Sequence, residues 1–190
     1  FYKLLRNNLN KYDIIIVADY GHGIITKKIR KLITANSKKI FLNTQINSFN
    51  RGYHTVYKYE KVNTLVINES ELRYETSDRN SNILILVKKL RKKVKAKNII
   101  VTQGNLGALF VNCEDWSSIF CPAFNQTSID TIGAGDTFLA LSALCSGSKI
   151  DNRLTLLISS LAASFSTHQL GNISIFNYEI LTKQINHILK

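Results

Sequence analysis

At 190 residues the chain is long enough for one domain with a sizeable core, and 45% hydrophobic with 20% charged residues is ordinary for a soluble globular protein. The net charge of +12 is strongly basic, yet no apolar run approaches membrane-spanning length, which excludes a membrane helix as an expectation. Cys113, Cys121 and Cys145 are odd in number and lack Cys-x-x-Cys or zinc-like spacing, so they read as core thiols of a reducing compartment, with cytoplasm the default. The chain starts at Phe1 and contains no Met, so it is expected to be a fragment or a processed or incomplete chain, with no signal peptide in view.

Strand and helix signals alternate. Leu4 to Leu9 predicts a short helical lead, and Ile14 to Ala18 is a continuous apolar run of the kind buried on both faces of a parallel sheet. Asp19-Tyr20-Gly21-His22-Gly23 follows directly; two glycines after a buried strand suit a tight turn by themselves. Thr26 is the expected N-cap of a basic helix through Ile29, Leu32 and Ile33. Ile40 to Leu42 is the next buried strand. Asn43 to Ser48 then reads as a polar, uncharged segment, and Tyr53, His54, Tyr57 and Tyr59 as surface or packing residues.

Leu65 to Ile67 predicts a further strand, and Glu69 to Tyr74 a helical turn behind it. In Asn68-Glu69-Ser70-Glu71 the outer two residues sit three apart and share a helix face. A carboxylate there suits a hydrated Mg²⁺, and an N-cap Asn with first-turn glutamates accounts for the same residues; the two roles are compatible. Ile83, Leu84, Leu86, Val87, Leu90 and Val94 give one face of a helix whose other face carries Lys88, Lys89, Arg91, Lys92 and Lys93, with Lys95 and Lys97 close behind. This basic run reads as a solvated face rather than a nucleic-acid patch, because no aromatic residues are interleaved for base stacking. Ile99 to Val101 is a strand, Thr102-Gln103-Gly104-Asn105-Leu106-Gly107 a turn, and Ala108 to Val111 and Ile119 to Cys121 short strands that pair as hairpins or extend the sheet. Helices are expected over Gly135 to Ser146, Leu154 to His168 and Tyr178 to Leu189.

Asp130-Thr131-Ile132-Gly133-Ala134-Gly135-Asp136 runs straight into apolar helix residues. Gly133 and Gly135 allow positive φ and let backbone N–H groups approach an anion, which also meets the partial positive charge of a helix N-terminus. Asp136 repels a phosphate, so its use is as a base that accepts the proton of an attacking hydroxyl. The segment resembles the second signature of the ribokinase-like (PfkB) carbohydrate kinases. Asp19-Tyr20-Gly21-x-Gly23 is similar to a loop best known from the heptose-kinase branch of that family, which commonly has Lys where this chain has His22. Asn68-x-x-Glu71 and Thr102-x-Gly104-x-x-Gly107 resemble further family motifs, in family order.

The resemblance implies a three-layer αβα sandwich with a mostly parallel sheet, spread over residues 1–190 as a single domain, lacking the amino-terminal sugar-binding part and its lid. It implies ATP and Mg²⁺, and a sugar or sugar phosphate as acceptor, with the Asp19 loop pointing to a heptose type. Asp136 is the implied base, with Gly133, Ala134 and Gly135 stabilising the phosphoryl group. Asn68, Thr102, Gly104, Gly107 and Thr131 fall to the nucleotide, Glu71 to the metal, Asp19 and Gly21 to the acceptor. Gly171 falls where the family's adenine pocket closes. Some relatives hold a monovalent cation near the Asp130 loop, and a homodimer of the full-length protein is compatible with the family. Nucleic acid and membrane partners are not expected. The alternative is a catalytically inactive kinase-like domain that binds nucleotide or a partner; the 190 residues alone are expected to be inactive. A P-loop, a Gly-x-Gly-x-x-Gly fingerprint, broken by Phe138, and a Gly-x-Ser-x-Gly elbow are all absent from the sequence.

Overall fold

The computed structural model describes residues 1–35, 39–124, 133–167 and 177–188. After α1 (Tyr2–Asn8), which buries no residue, come β1 (Ile14–Asp19), α2 (Lys27–Thr34), β2 (Lys39–Thr44), β3 (Lys61–Asn68), α3 (Glu69–Thr76), α4 (Ile83–Arg91) and β4 (Lys95–Thr102). β1 to β4 are parallel neighbours in that order, as expected when each crossover carries a helix or a long connection. β5 (Gly107–Asn112) and β6 (Ser118–Pro122) follow in the strand order. The four residues between β4 and β5 and the five between β5 and β6 are hairpin-length connections. The chain is thus α/β with a mostly parallel sheet, as the sequence led one to expect.

Two compact units make up the chain: Phe1–Thr102 with Phe110–Ser118, and Gln103–Leu109 with Ile119–Lys190. In the first, Phe41, Leu42, Leu65, Val66, Ile67, Ile99, Ile100 and Val101 are buried in the middle strands. Each large apolar side chain so buried contributes about 1.5–3 kcal/mol to the core. The second holds α5 (Ala134–Gly147), α6 (Asn152–Ser166) and α7 (Tyr178–Ile188). Between α5 and α6 the hydroxyls of Ser142 and Ser159 lie 3.0 Å apart. Each hydroxyl donates to a carbonyl one turn back, at Phe138 and Thr155, so neither of the two is orphaned.

Several expectations need correction. β1 was expected to be buried on both faces, yet Ile16 and Ala18 are exposed while Ile15, Val17 and Asp19 are buried. Among the described strands β1 is the first of the order, with β2 as its neighbour. Val94 does not continue the helix face, because α4 ends at Arg91; Val94 is buried in the turn that leads into β4. The basic run therefore spans three kinds of structure: Lys88, Lys89 and Arg91 on the helix, Lys92 and Lys93 in the turn, Lys95 and Lys97 at exposed β4 positions. Asn43 and Thr44, read as the start of a polar loop, are the last two residues of β2. The ends predicted at His168 and Leu189 lie outside the described residues.

Candidate active site

The carboxyl ends of the parallel strands bring the first unit's polar residues into line. Asp19 at the end of β1 is in register with Thr44 of β2, and Asn68 of β3 with Thr102 of β4. Strand ends of a parallel sheet are where such folds place ligands.

Asn68 caps α3. Its side-chain oxygen accepts from the Glu71 N–H at 2.8 Å, and Glu71 Oε2 accepts from the Asn68 N–H at 3.2 Å, a reciprocal capping box. The other oxygen of Glu71 accepts from the Ile46 N–H at 3.1 Å. Glu71 is 6% exposed, and burial raises its carboxyl above the ordinary 4.5, although the two amides pull it back. One turn later on the same face, buried Glu75 accepts from the Val56 N–H at 2.8 Å and the Thr55 hydroxyl at 2.5 Å. Its charge adds to the upward pressure on Glu71. No group of three or more His, Cys, Asp or Glu side chains suited to a metal occurs among the described residues. With each Glu71 oxygen taking one amide, what remains fits a hydrated Mg²⁺ whose main anionic ligands come from the nucleotide, not a closed protein cage.

Asp19 is 4% exposed, and its carboxylate is engaged within the fold. Oδ1 accepts from the Gly21 N–H at 3.0 Å, and Oδ2 from the Tyr59 hydroxyl at 2.7 Å. Tyr59 is fully buried; burial first, then the Asp19 hydrogen bond, holds its phenol far above the usual 10.0, so it stays a donor. The Asp19 carbonyl lies 2.9 Å from His54 Nε2, a contact that requires the proton on that nitrogen. Asn50 Nδ2 donates to the carbonyls of Tyr20 and Gln45. Gly21 has φ +72°, and a Cβ there would lie 2.9 Å from both Asn50 Nδ2 and His54 Cγ. Here glycine is required by backbone conformation and space alike. Tyr20 and His22 stack with centroids 6.3 Å apart.

In the second unit Gly133 is the N-cap of α5 in the left-handed conformation, φ 83°, and supplies no side-chain cap. Ala134, Gly135 and Asp136 form the first turn, whose N–H groups have no acceptor within a helix. A Cβ on Gly135 would meet nothing within 4 Å. The turn thus offers amides at a helix N-terminus with a carboxylate on its third residue. Thr131, and Gly171 with it, lie outside the described residues.

Gly104 and Gly107 bound the turn that opens β5. Gly104 is exposed with open space about it. Gly107, at φ +121°, is different: a Cβ would lie 2.1 Å from the Cys121 carbonyl oxygen and 2.8 Å from Ala123 N. The strand pairing itself demands glycine there. Gly107→Ala is expected to destabilise the protein by about 2–3 kcal/mol, since strain and backbone overlap act together. Urea denaturation measures it, and a midpoint equal to wild type would contradict this reading of the turn.

The sequence reading took Tyr53, His54, Tyr57 and Tyr59 as surface or packing residues; Tyr53 is exposed while His54 and Tyr59 are buried, and the reading missed that Asn50, His54 and Tyr59 tie residues 45–59 to the β1 loop. The pairs are separated by 30, 35 and 40 positions, and nothing local signals them.

The chain is similar in sequence and in fold to known proteins. A family model for pfkB family carbohydrate kinases matches residues 6–174. The chain is 29% identical over 185 residues to the bifunctional protein HldE of Aliarcobacter butzleri, covering 92% of this chain and 37% of that protein. It is 24% identical over 182 residues to the protein of the same name from Campylobacter jejuni subsp. jejuni, covering 93% and 38%. The chain therefore spans less than two-fifths of the length of these relatives. Among solved structures, phosphofructokinase-2 from Escherichia coli in complex with potassium superposes with a TM-score of 0.77 at 17% identity, covering all of this chain and 62% of that one. Arabidopsis thaliana ribokinase complexed with ribose and ATP gives 0.73 at 20% identity, covering 95% and 57%. With its glycine turn before α5, its capped Asn68–Glu71 pair and a family match running from residue 6 to residue 174, the chain belongs to the pfkB family of carbohydrate kinases.

Proposed function

We propose that this chain carries the phosphoryl-transfer machinery for moving a phosphoryl group from ATP to a hydroxyl of a sugar or sugar phosphate. The observation that supports it most is the first turn of α5, where the left-handed Gly133 sets the amides of Ala134 and Gly135 beside the carboxylate of Asp136. Helix N-terminal amides suit the developing charge on a transferring phosphoryl group, and the carboxylate suits removal of the acceptor proton. Asn68, Thr102, Gly104, Gly107 and Thr131 are assigned to the nucleotide and Gly21, on the loop that follows Asp19, to the acceptor side. A heptose-type acceptor is the finer reading and rests on the Asp19-Tyr20-Gly21-x-Gly23 resemblance.

Glu71 and Asn68 would organise the water shell of Mg²⁺; the ion, when bound, neutralises phosphate charge. Glu71→Gln keeps the shape and one acceptor but removes the negative charge. The Mg²⁺ concentration for half-maximal activity is expected to rise by about tenfold, with the rate at saturating Mg²⁺ little changed. An unchanged Mg²⁺ dependence would reduce Glu71 to its capping role.

The test of the function is ADP release with a panel of pentoses, hexoses, heptoses and their phosphates, using the longest natural polypeptide that carries these residues. Sugar-dependent ADP release identifies the acceptor class. ATP binding without release for any sugar would favour the inactive, nucleotide-binding alternative.

A further inference from the structure

We propose that Asp19 is a positioning residue, and that the segment between β2 and β3 fixes the shape of the acceptor-side loop through it; the inference rests on the kinase reading above. Asp19 was a natural candidate for touching substrate. Its surroundings assign it another task. Both carboxylate oxygens have protein donors, Gly21 N–H on one and the Tyr59 hydroxyl on the other, and its own carbonyl takes His54 Nε2. A carboxylate buried with its donors in place is costly to turn outward, because the donors would be left unpaired.

The same segment is held at its other side by α3. Ile46 N–H reaches Glu71, while Val56 N–H and the Thr55 hydroxyl reach Glu75. The Tyr57 hydroxyl adds a bond to the Glu75 carbonyl at 2.5 Å. Residues 45–59 thus link the capped helix that carries the metal-side residues to the β1 loop that carries Gly21. Asn50 closes the link by donating to Tyr20 and by packing where a Gly21 side chain would stand. Within this unit the acceptor loop cannot shift without breaking contacts to α3's partner segment.

Two variants separate positioning from direct contact. Tyr59→Phe removes one hydroxyl and leaves the packing. Asp19→Asn keeps both bonds, since its oxygen still accepts from Gly21 N–H and its amide can donate to the Tyr59 oxygen, but it removes the charge. Hydrogen exchange is read at amides 21–24, with 41–42, 65–67 and 99–101 as core controls. Tyr59→Phe is expected to speed exchange at 21–24 by about tenfold with the controls unchanged, and Asp19→Asn to leave both near wild type. No change at 21–24, or an equal rise everywhere, overturns the proposal.

Sugar titrations in the longest natural polypeptide give the second readout. Tyr59→Phe should raise KM for the acceptor by about fivefold with KM for ATP within about twofold, whereas Asp19→Asn keeps acceptor KM near wild type. Loss of acceptor affinity in Asp19→Asn with normal exchange at 21–24 would make Asp19 a direct contact and overturn the proposal. If the wild-type protein phosphorylates no sugar, the kinase reading fails, while the exchange measurement still decides whether Tyr59 and Asp19 anchor the loop.

Discussion

Asp136→Asn is expected to lower kcat by about 10²-fold or more while ATP affinity stays within about threefold of wild type. The substitution keeps the shape of the side chain on the third residue of α5 and its ability to hydrogen-bond, so the first turn and its Gly133 cap remain as they are. What disappears is the capacity to accept a proton. An amide is no base near neutral pH, and the acceptor hydroxyl must then lose its proton to water while it attacks. The nucleotide, by contrast, meets one negative charge fewer near its phosphates, so its binding should weaken little if at all. Single-turnover measurement of product formation at saturating ATP and sugar reads the chemical step directly. A kcat equal to wild type would remove Asp136 from the role of base and with it the main support for the assignment.

The fold was legible because its signals are local and repeated. Apolar runs at Ile40–Leu42, Leu65–Ile67 and Ile99–Val101 mark buried parallel strands, and Thr26 and Asn68 cap the helices that follow. Strand ends were less legible. β2 and β3 continue into the polar residues Asn43, Thr44 and Asn68 at the carboxyl edge of the sheet, and hydrophobicity gives no warning of that.

The two faces of Glu71 show the same limit at the site. Its spacing from Asn68 predicts both a cap and a metal role, and the capping box is present; only tertiary structure reveals that Ile46 N–H also claims it. For Asp19 the resemblance to the family implied substrate contact, and the contacts that point elsewhere come from Tyr59 and His54, with Asn50 on the neighbouring Tyr20 carbonyl, all supplied by a distant segment. Gly107 is the reverse case: a position that reads as part of a nucleotide motif is demanded by strand packing before any ligand is considered.

These 190 residues on their own are expected to bind ATP weakly and to phosphorylate no sugar at an appreciable rate. The amides of the α5 turn, Asp136 and the Asn68–Glu71 pair are present, so nucleotide and metal have residues to meet. The acceptor is less well provided for. Asp19 is turned inward, with both carboxylate oxygens taken by protein donors. The chain also matches only 62% of phosphofructokinase-2 and 57% of ribokinase, and the resemblance to the family assigns sugar contacts and a water-excluding lid to the remainder. Positioning carries much of the rate in phosphoryl transfer; well-oriented reactants gain about 7–11 kcal/mol over freely diffusing ones, and a loosely held hydroxyl forfeits most of that. The measurement is ADP release by the purified chain with ATP, Mg²⁺ and each sugar of the panel, beside a no-sugar control and a nucleotide-binding titration. Weak binding with no sugar-dependent release is the expected result, whereas robust release with one sugar would place the whole acceptor site within these residues.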